Sequence, residues 1–196
     1  MPHVAKDFSH LKGTLEGISE KQLDAHFALY NGYVTKINEI EEKLKTADRS
    51  KANYSFNEYS ELKRREAVAF NGVYLHNLYF ENLSGKGGTA SDDVQRAAVA
   101  AFGSWDAYVA DLKACGASTP GWVLTTWNRV DKALHNYVMY EHHIGLPAHQ
   151  EIVLAMDCWE HSFFLDYGAK KADYLGAFVK NVNWAEVNKR FAALHR

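Results

Sequence analysis

A long stretch of helical period, stopped by a glycine-rich break and followed by a different texture, constrains this chain most. Leu23, Phe27, Tyr30, Val34, Ile37, Ile40 and Leu44 recur at three- and four-residue steps, which lines one face of a helix. Ser19 with Gln22 three residues later reads as a capping box, so a helix is expected over residues 20–45. After a polar stretch at 53–57, a second long helix is expected over residues 59–83. Ser84-Gly85-Lys86-Gly87-Gly88 then ends it in a loop. Helical texture resumes over 92–114, with a break near Gly103. Beyond Gly121 the segments 122–127, 133–140 and 151–156 are rich in Val, Leu, Tyr and Trp and read as strands, with Asp131-Lys132 at a hairpin turn. The tail is helical over 174–179 and again from Asn183, which has Glu186 at its third position. The expected fold class is α+β: an N-terminal long α-hairpin, then a C-terminal lobe with a three-stranded antiparallel sheet and helices. The break near residues 84–91 divides the chain into a helical hairpin domain, residues 1–88, and an α/β domain, residues 89–196.

With 196 residues, 47% apolar and 23% charged, the chain has ordinary globular composition and enough length for one sizeable core. A net charge of -2 carries no basic excess, so a nucleic-acid partner is not expected. A small anion would have to be drawn in by a local field. No run of 18 apolar residues occurs and no apolar stretch follows Met1-Pro2-His3, so neither a membrane nor a secretory route is expected. Cys115 and Cys158 form no C-x-x-C pair; they read as buried free thiols in a reducing, cytoplasmic setting.

Ten histidines raise the question of a metal. His3, His10 and His195 lie near the termini, where side chains are usually solvated. His135, His143 and His149 sit in or beside strands. His26 and His76 each stand mid-helix on an apolar face, one on each arm of the expected hairpin, and facing helices are a common place to build a metal site. Asp157 and His161 follow an apolar strand, where a carboxylate needs a cation or strong hydrogen bonds. An Asp with a His four residues on can share one ion, and three imidazoles with one carboxylate suit iron, manganese or zinc. The same residues serve equally as a turn cap and a backbone-bonded histidine, so spacing alone leaves both readings open.

The run Asp157-Cys158-Trp159-Glu160-His161-Ser162-Phe163-Phe164 closely resembles the signature of the iron/manganese superoxide dismutases. Leu75-His76-Asn77-Leu78-Tyr79-Phe80, Phe102-Gly103-Ser104-Trp105, Gly121-Trp122 and Val182-Asn183-Trp184 are similar to further stretches of that family, over nearly the whole chain. The resemblance implies an enzyme that disproportionates superoxide to oxygen and hydrogen peroxide, with one iron or manganese ion per subunit. It implies a homodimer or homotetramer. His26, His76, Asp157 and His161 take the four metal-ligand places. Tyr33 takes that of a gateway tyrosine, and Phe80, Trp122 and Trp159 wall the site. Glu160 takes that of a carboxylate reaching the partner's ligand histidine. Lys171 falls near a cationic funnel residue that is usually arginine.

Three departures accompany the resemblance. His26 and Tyr33 are seven positions apart where the family usually has eight; seven is about 700° of helix, close to two turns, so both side chains share a face. Leu29 and Phe164 stand where the family often places a histidine and an interface tyrosine, with Tyr30 a candidate substitute. Neither Gly72 nor the stretch Tyr140-Glu141-His142-His143 supplies the glutamine that bonds the coordinated solvent. His142 fits that role best, with His143 the fallback, since one step of register swaps sheet faces. A family member without dismutase activity and a mononuclear zinc hydrolase are the alternatives.

Overall fold

The computed structural model describes residues 1–194; His195 lies outside the described residues. Helix α1 spans Glu20–Thr46 and α2 spans Glu58–Glu81. Ser19 accepts a hydrogen bond from the Gln22 backbone N–H, and Asn57 accepts one from that of Ser60, which satisfies donors that each helix start leaves open. The capping box is only half made. The Gln22 side chain does not turn back to Ser19; it is buried and reaches the other lobe.

The helical stretch expected over 92–114 is broken at Gly103, as its sequence indicates, into α3 (Asp92–Phe102) and α4 (Trp105–Ser118). Gly103 closes α3 with φ of 88°, a left-handed value that glycine adopts without steric cost. Ser104 then caps α4 through the Ala107 N–H.

Strands β1 (Trp122–Asn128), β2 (Ala133–Met139) and β3 (Gln150–Asp157) form one antiparallel sheet in the order β2-β1-β3. Central β1 has its first residues wholly buried, Trp122, Val123 and Leu124. The register sets Trp122 opposite both Met139 and Asp157. Helices α3 and α4 pack on β2, α4 also on β1, and α2 on β3.

A 3-10 turn (Glu160–Ser162) and the short α5 (Phe164–Tyr167) follow β3, and α6 (Lys171–Lys180) and α7 (Trp184–Ala193) end the described chain. Asn183 precedes α7 but does not cap it with its side chain, contrary to the sequence expectation. Its amide donates instead to the Glu81 carbonyl at the end of α2, because the two lobes meet there. Leu83 and Val182 also form an isolated antiparallel bridge.

Two more expectations are corrected. His3 is not solvated: its ring bonds Glu41 at 2.9 Å and Tyr74 at 3.2 Å, which ties the N-terminal segment across both hairpin arms. Cys158 is buried but Cys115 only half-buried, and both are free thiols.

Candidate metal centre

The hairpin places His26 on α1 and His76 on α2, both almost without exposure. Their rings meet edge to face at 5.0 Å. Asp157 ends β3 and is fully buried. His161 lies in the 3-10 turn just beyond it. Thus two helices, a strand end and a turn bring four side chains together, with donor atoms all within 4.8 Å of one another.

Asp157 is held through both its side chain and its backbone. Oδ1 accepts from the Trp159 N–H at 2.9 Å, and the Tyr174 hydroxyl donates to the Asp157 carbonyl at 2.6 Å. Oδ2 faces three imidazoles: Nε2 of His26 at 3.1 Å, of His161 at 3.2 Å and of His76 at 3.4 Å.

His76 shows what this cluster lacks. Its Nδ1 lies 2.5 Å from the Gly72 carbonyl oxygen, so Nδ1 must carry the proton, because a carbonyl can only accept. Burial, and then the neighbouring His26, hold its pKa well below the usual histidine value. The neutral ring therefore turns an unprotonated Nε2 toward a carboxylate oxygen, and that buried nitrogen has no hydrogen-bond partner. Two lone pairs facing each other in a dry site repel unless a cation lies between them. Burial pushes the Asp157 carboxyl up, but His161 and His26 outweigh it and leave the group ionised. An ion held at about 2 Å by each donor spaces neighbouring donors about 3 Å apart, close to the spacing seen. The donor set fits a mononuclear cation.

The walls are aromatic. Phe80 meets His26 edge to face at 4.9 Å, Trp122 meets His76 at 5.0 Å, and Trp159 stacks parallel to His161 at 6.3 Å. Beside the donors runs a chain of polar contacts. The Trp122 Nε1–H donates to His142 Nδ1 at 2.9 Å, and His142 Nε2 lies 2.6 Å from the Tyr33 hydroxyl. An indole N–H can only donate, so His142 Nδ1 accepts. Burial holds the His142 pKa down to about 4, so the ring is neutral with its proton on Nε2, donating to Tyr33. The Tyr33 ring lies against Gly72, where an added Cβ would stand 2.4 Å from it.

His142 is buried and His143 exposed. Glu160 is exposed in the single chain. The Lys171 ammonium donates to the Thr119 carbonyl at 2.6 Å and lies 5.8 Å from the centre of the Phe163 ring. Tyr30 is buried, but its hydroxyl is engaged away from Phe164: it donates to Asn77 Oδ1 at 2.7 Å and accepts the Lys6 N–H at 2.8 Å.

Sequence reasoning missed Gln22, whose amide donates to the His161 carbonyl at 2.5 Å and whose oxygen accepts the Leu165 N–H. Its place in a capping pattern hid that role. Tyr174, whose hydroxyl supports the Asp157 backbone carbonyl, reads in sequence only as the start of a tail helix.

An α-hairpin and an α+β lobe closing on one carboxylate and three imidazoles define a mononuclear metalloprotein. Residues 10–84 match the family profile of the iron/manganese superoxide dismutases' alpha-hairpin domain, and residues 90–190 match that of their C-terminal domain. The chain is similar to the iron superoxide dismutase of Aquifex aeolicus, at 38% identity over 96% of this chain and 92% of the relative. The iron superoxide dismutase of Cupriavidus metallidurans shares 37% identity, with 93% and 92% covered. A manganese superoxide dismutase of Haloferax volcanii shares 31%, with 89% and 87% covered. The chain belongs to the iron/manganese superoxide dismutase family, and the zinc-hydrolase alternative is not favoured.

Proposed function

We propose that His26, His76, Asp157 and His161 are the protein ligands of the one iron or manganese ion on which this superoxide dismutase acts. The observation that carries the assignment is the unpartnered, unprotonated His76 Nε2 turned toward Asp157 Oδ2. When bound, the ion supplies the one-electron exchange in which one superoxide is oxidised to oxygen and a second, with two protons, is reduced to hydrogen peroxide.

The chain's own residues hold the donors, exclude water and place a proton. Phe80, Trp122 and Trp159 keep the cavity apolar, which strengthens electrostatic interactions inside it. Tyr33 and His142 serve the second role. Because Trp122 fixes the His142 tautomer, His142 donates to the Tyr33 oxygen and leaves the Tyr33 O–H free to donate toward the donor cluster. In this reading His142 acts on solvent or substrate through Tyr33, and its place between Trp122 and Tyr33 favours it over the exposed His143. Burial, then the Asp157 carboxylate, raises the Tyr33 pKa, so the hydroxyl keeps its proton at neutral pH.

We further propose a dimer or tetramer in which Glu160 reaches the partner's site. The support is that the Glu160 carboxylate and His161 Nδ1 have no hydrogen-bond partner among the described residues of one chain, although Trp159, Phe163 and Phe164 flank them. Lys171 would add positive charge near that junction. Residues 1–88 and 89–196 are proposed as the two domains. A cytoplasmic setting agrees with two free cysteines; no helix among the described residues is long and apolar enough to cross a membrane.

The experiment is metal analysis of Asp157→Ala. The purified variant should hold far less than one ion per chain, and full occupancy would remove Asp157 from the ligand set.

A further inference from the structure

A groove between the hairpin arms lies beside Tyr33. It is a cavity of about 460 Å³ whose wall includes Tyr33, Lys36, Lys43 and Arg65, with Glu39, Glu58 and Glu61. Three of these six charges are spent locally: Lys36 is paired with Glu39 at 2.5 Å, and Glu61 is paired with Arg64, while Lys43 and Glu58 are in no ion pair among the described residues. Arg65 is exposed and has no hydrogen-bond or ion-pair partner among the described residues.

The position of Arg65 on α2 gives it a line of approach to the centre. Arg65, Ala69, Gly72 and His76 are spaced by four, three and four residues, so they share one stripe of the helix. The two residues between the guanidinium and the ligand histidine are the smallest available, which keeps the groove floor low. Over Gly72 lies the Tyr33 ring. Seven residues of helix separate Arg65 from Gly72, about 10 Å of rise, and the Arg65 side chain can lean over part of that gap. The guanidinium's field reaches both members of the hydrogen-bonded pair, since it acts on the Tyr33 hydroxyl and on His142.

We propose that Arg65 steers the anionic substrate: the hairpin groove is a vestibule that draws superoxide along α2 to Tyr33, with Arg65 as the cation on the helix stripe that leads to His76. This adds a same-chain cation to the one expected at Lys171, whose ammonium is bound to the Thr119 carbonyl. It rests on the dismutase reading, so one arm of the test does not depend on turnover. Because an exposed cation acts through solvent, its effect is modest and depends on salt.

The test uses metal-loaded wild type, Arg65→Gln, Arg65→Lys and Arg65→Glu. At about 10 mM ionic strength, where the screening length is about 30 Å, Arg65→Gln should lower kcat/KM for superoxide by about two- to fivefold. Arg65→Glu should lower it further, Arg65→Lys should stay near wild type, and kcat should hold in all three. At about 0.2 M the differences should close. Azide, titrated by the metal's absorption, should bind more weakly in the same order. Lys45→Gln, from an exposed pair with Glu42, should match wild type. The proposal is overturned if Arg65→Gln matches wild type in rate and in azide affinity at low salt. It is also overturned if its loss is independent of salt and not restored by lysine, or if Lys45→Gln shifts the rate equally.

Discussion

Gly72 is where one missing side chain decides how the site is arranged. A Cβ there would lie 2.4 Å from Tyr33 Cδ1 and 2.5 Å from Cγ, so no larger residue fits while Tyr33 holds its place. The seven-residue spacing from His26 to Tyr33 and the bare α2 backbone are two halves of one contact. Gly72→Ala should gain about 1 kcal/mol of helix propensity and lose about 1–3 kcal/mol to overpacking. Its larger effect should fall on turnover, as the Tyr33 hydroxyl is pushed off His142. A thermal melt with a superoxide assay on the same preparation checks this; unchanged activity would show that the ring relocates harmlessly. His142→Gln makes a different prediction. The metal should stay bound, because His142 is not a donor in the cluster, while the ratio of iron-supported to manganese-supported activity should change, since a group one bond removed from the site tunes the metal. His143→Gln should do much less. Activity measured after loading with each metal separates the two residues. The sequence ranked His142 ahead of His143; the burial of His142 against Trp122 and Tyr33, with His143 exposed, supports that order, and it depends on how the 140–145 loop folds back.

At the scale of elements, α1 is held at its start by two residues with different jobs. Ser19 caps the helix through the Gln22 N–H at 3.1 Å, and Ser19→Ala should cost about 1 kcal/mol, seen as a lower Tm with metal content unchanged. Gln22→Ala removes two bonds between lobes, one to the carbonyl of the proposed ligand His161. It should cost about 1–3 kcal/mol, because two partly buried backbone groups lose partners. It should also weaken metal binding by roughly tenfold, since supports behind a ligand act on affinity. A chelator competition assay distinguishes the two variants: only Gln22→Ala should shift it. Helix starts were legible from sequence because capping is local chemistry. The second job of Gln22 was not, since its partners lie 139 and 143 positions away. Asn183 failed as a predicted cap for the same reason: the end of α2 competes for its amide.

At the scale of the whole molecule, the centre joins the two lobes, so the ion and the fold should stabilise each other. His26 and His76 come from the hairpin, Asp157 and His161 from the other lobe, and the buried His76 Nε2 has no other partner. Removing the metal by chelation should lower Tm, by an amount that follows the free-ion concentration on restoration. A melt unaffected by chelation would mean that the cluster is stable empty. The exposed Glu160 belongs to the same scale. Glu160→Ala should weaken self-association and lower activity together, as read by sedimentation and a superoxide assay, and a fully active native monomer would contradict the proposed interface.

The sequence alone determined the order of the elements, because helical period, strand composition, caps and glycine breaks are fixed within a few residues of one another. Through the Asp157–His161 run and its resemblance, it also determined the family and a candidate donor set. Only the tertiary structure decided which nitrogen of His76 is left without a partner, that His142 lies inside and His143 outside, and that Gly72 must stay bare beneath Tyr33. Each of these depends on groups far apart in the chain meeting in a space too small for water, and such a meeting is set by packing.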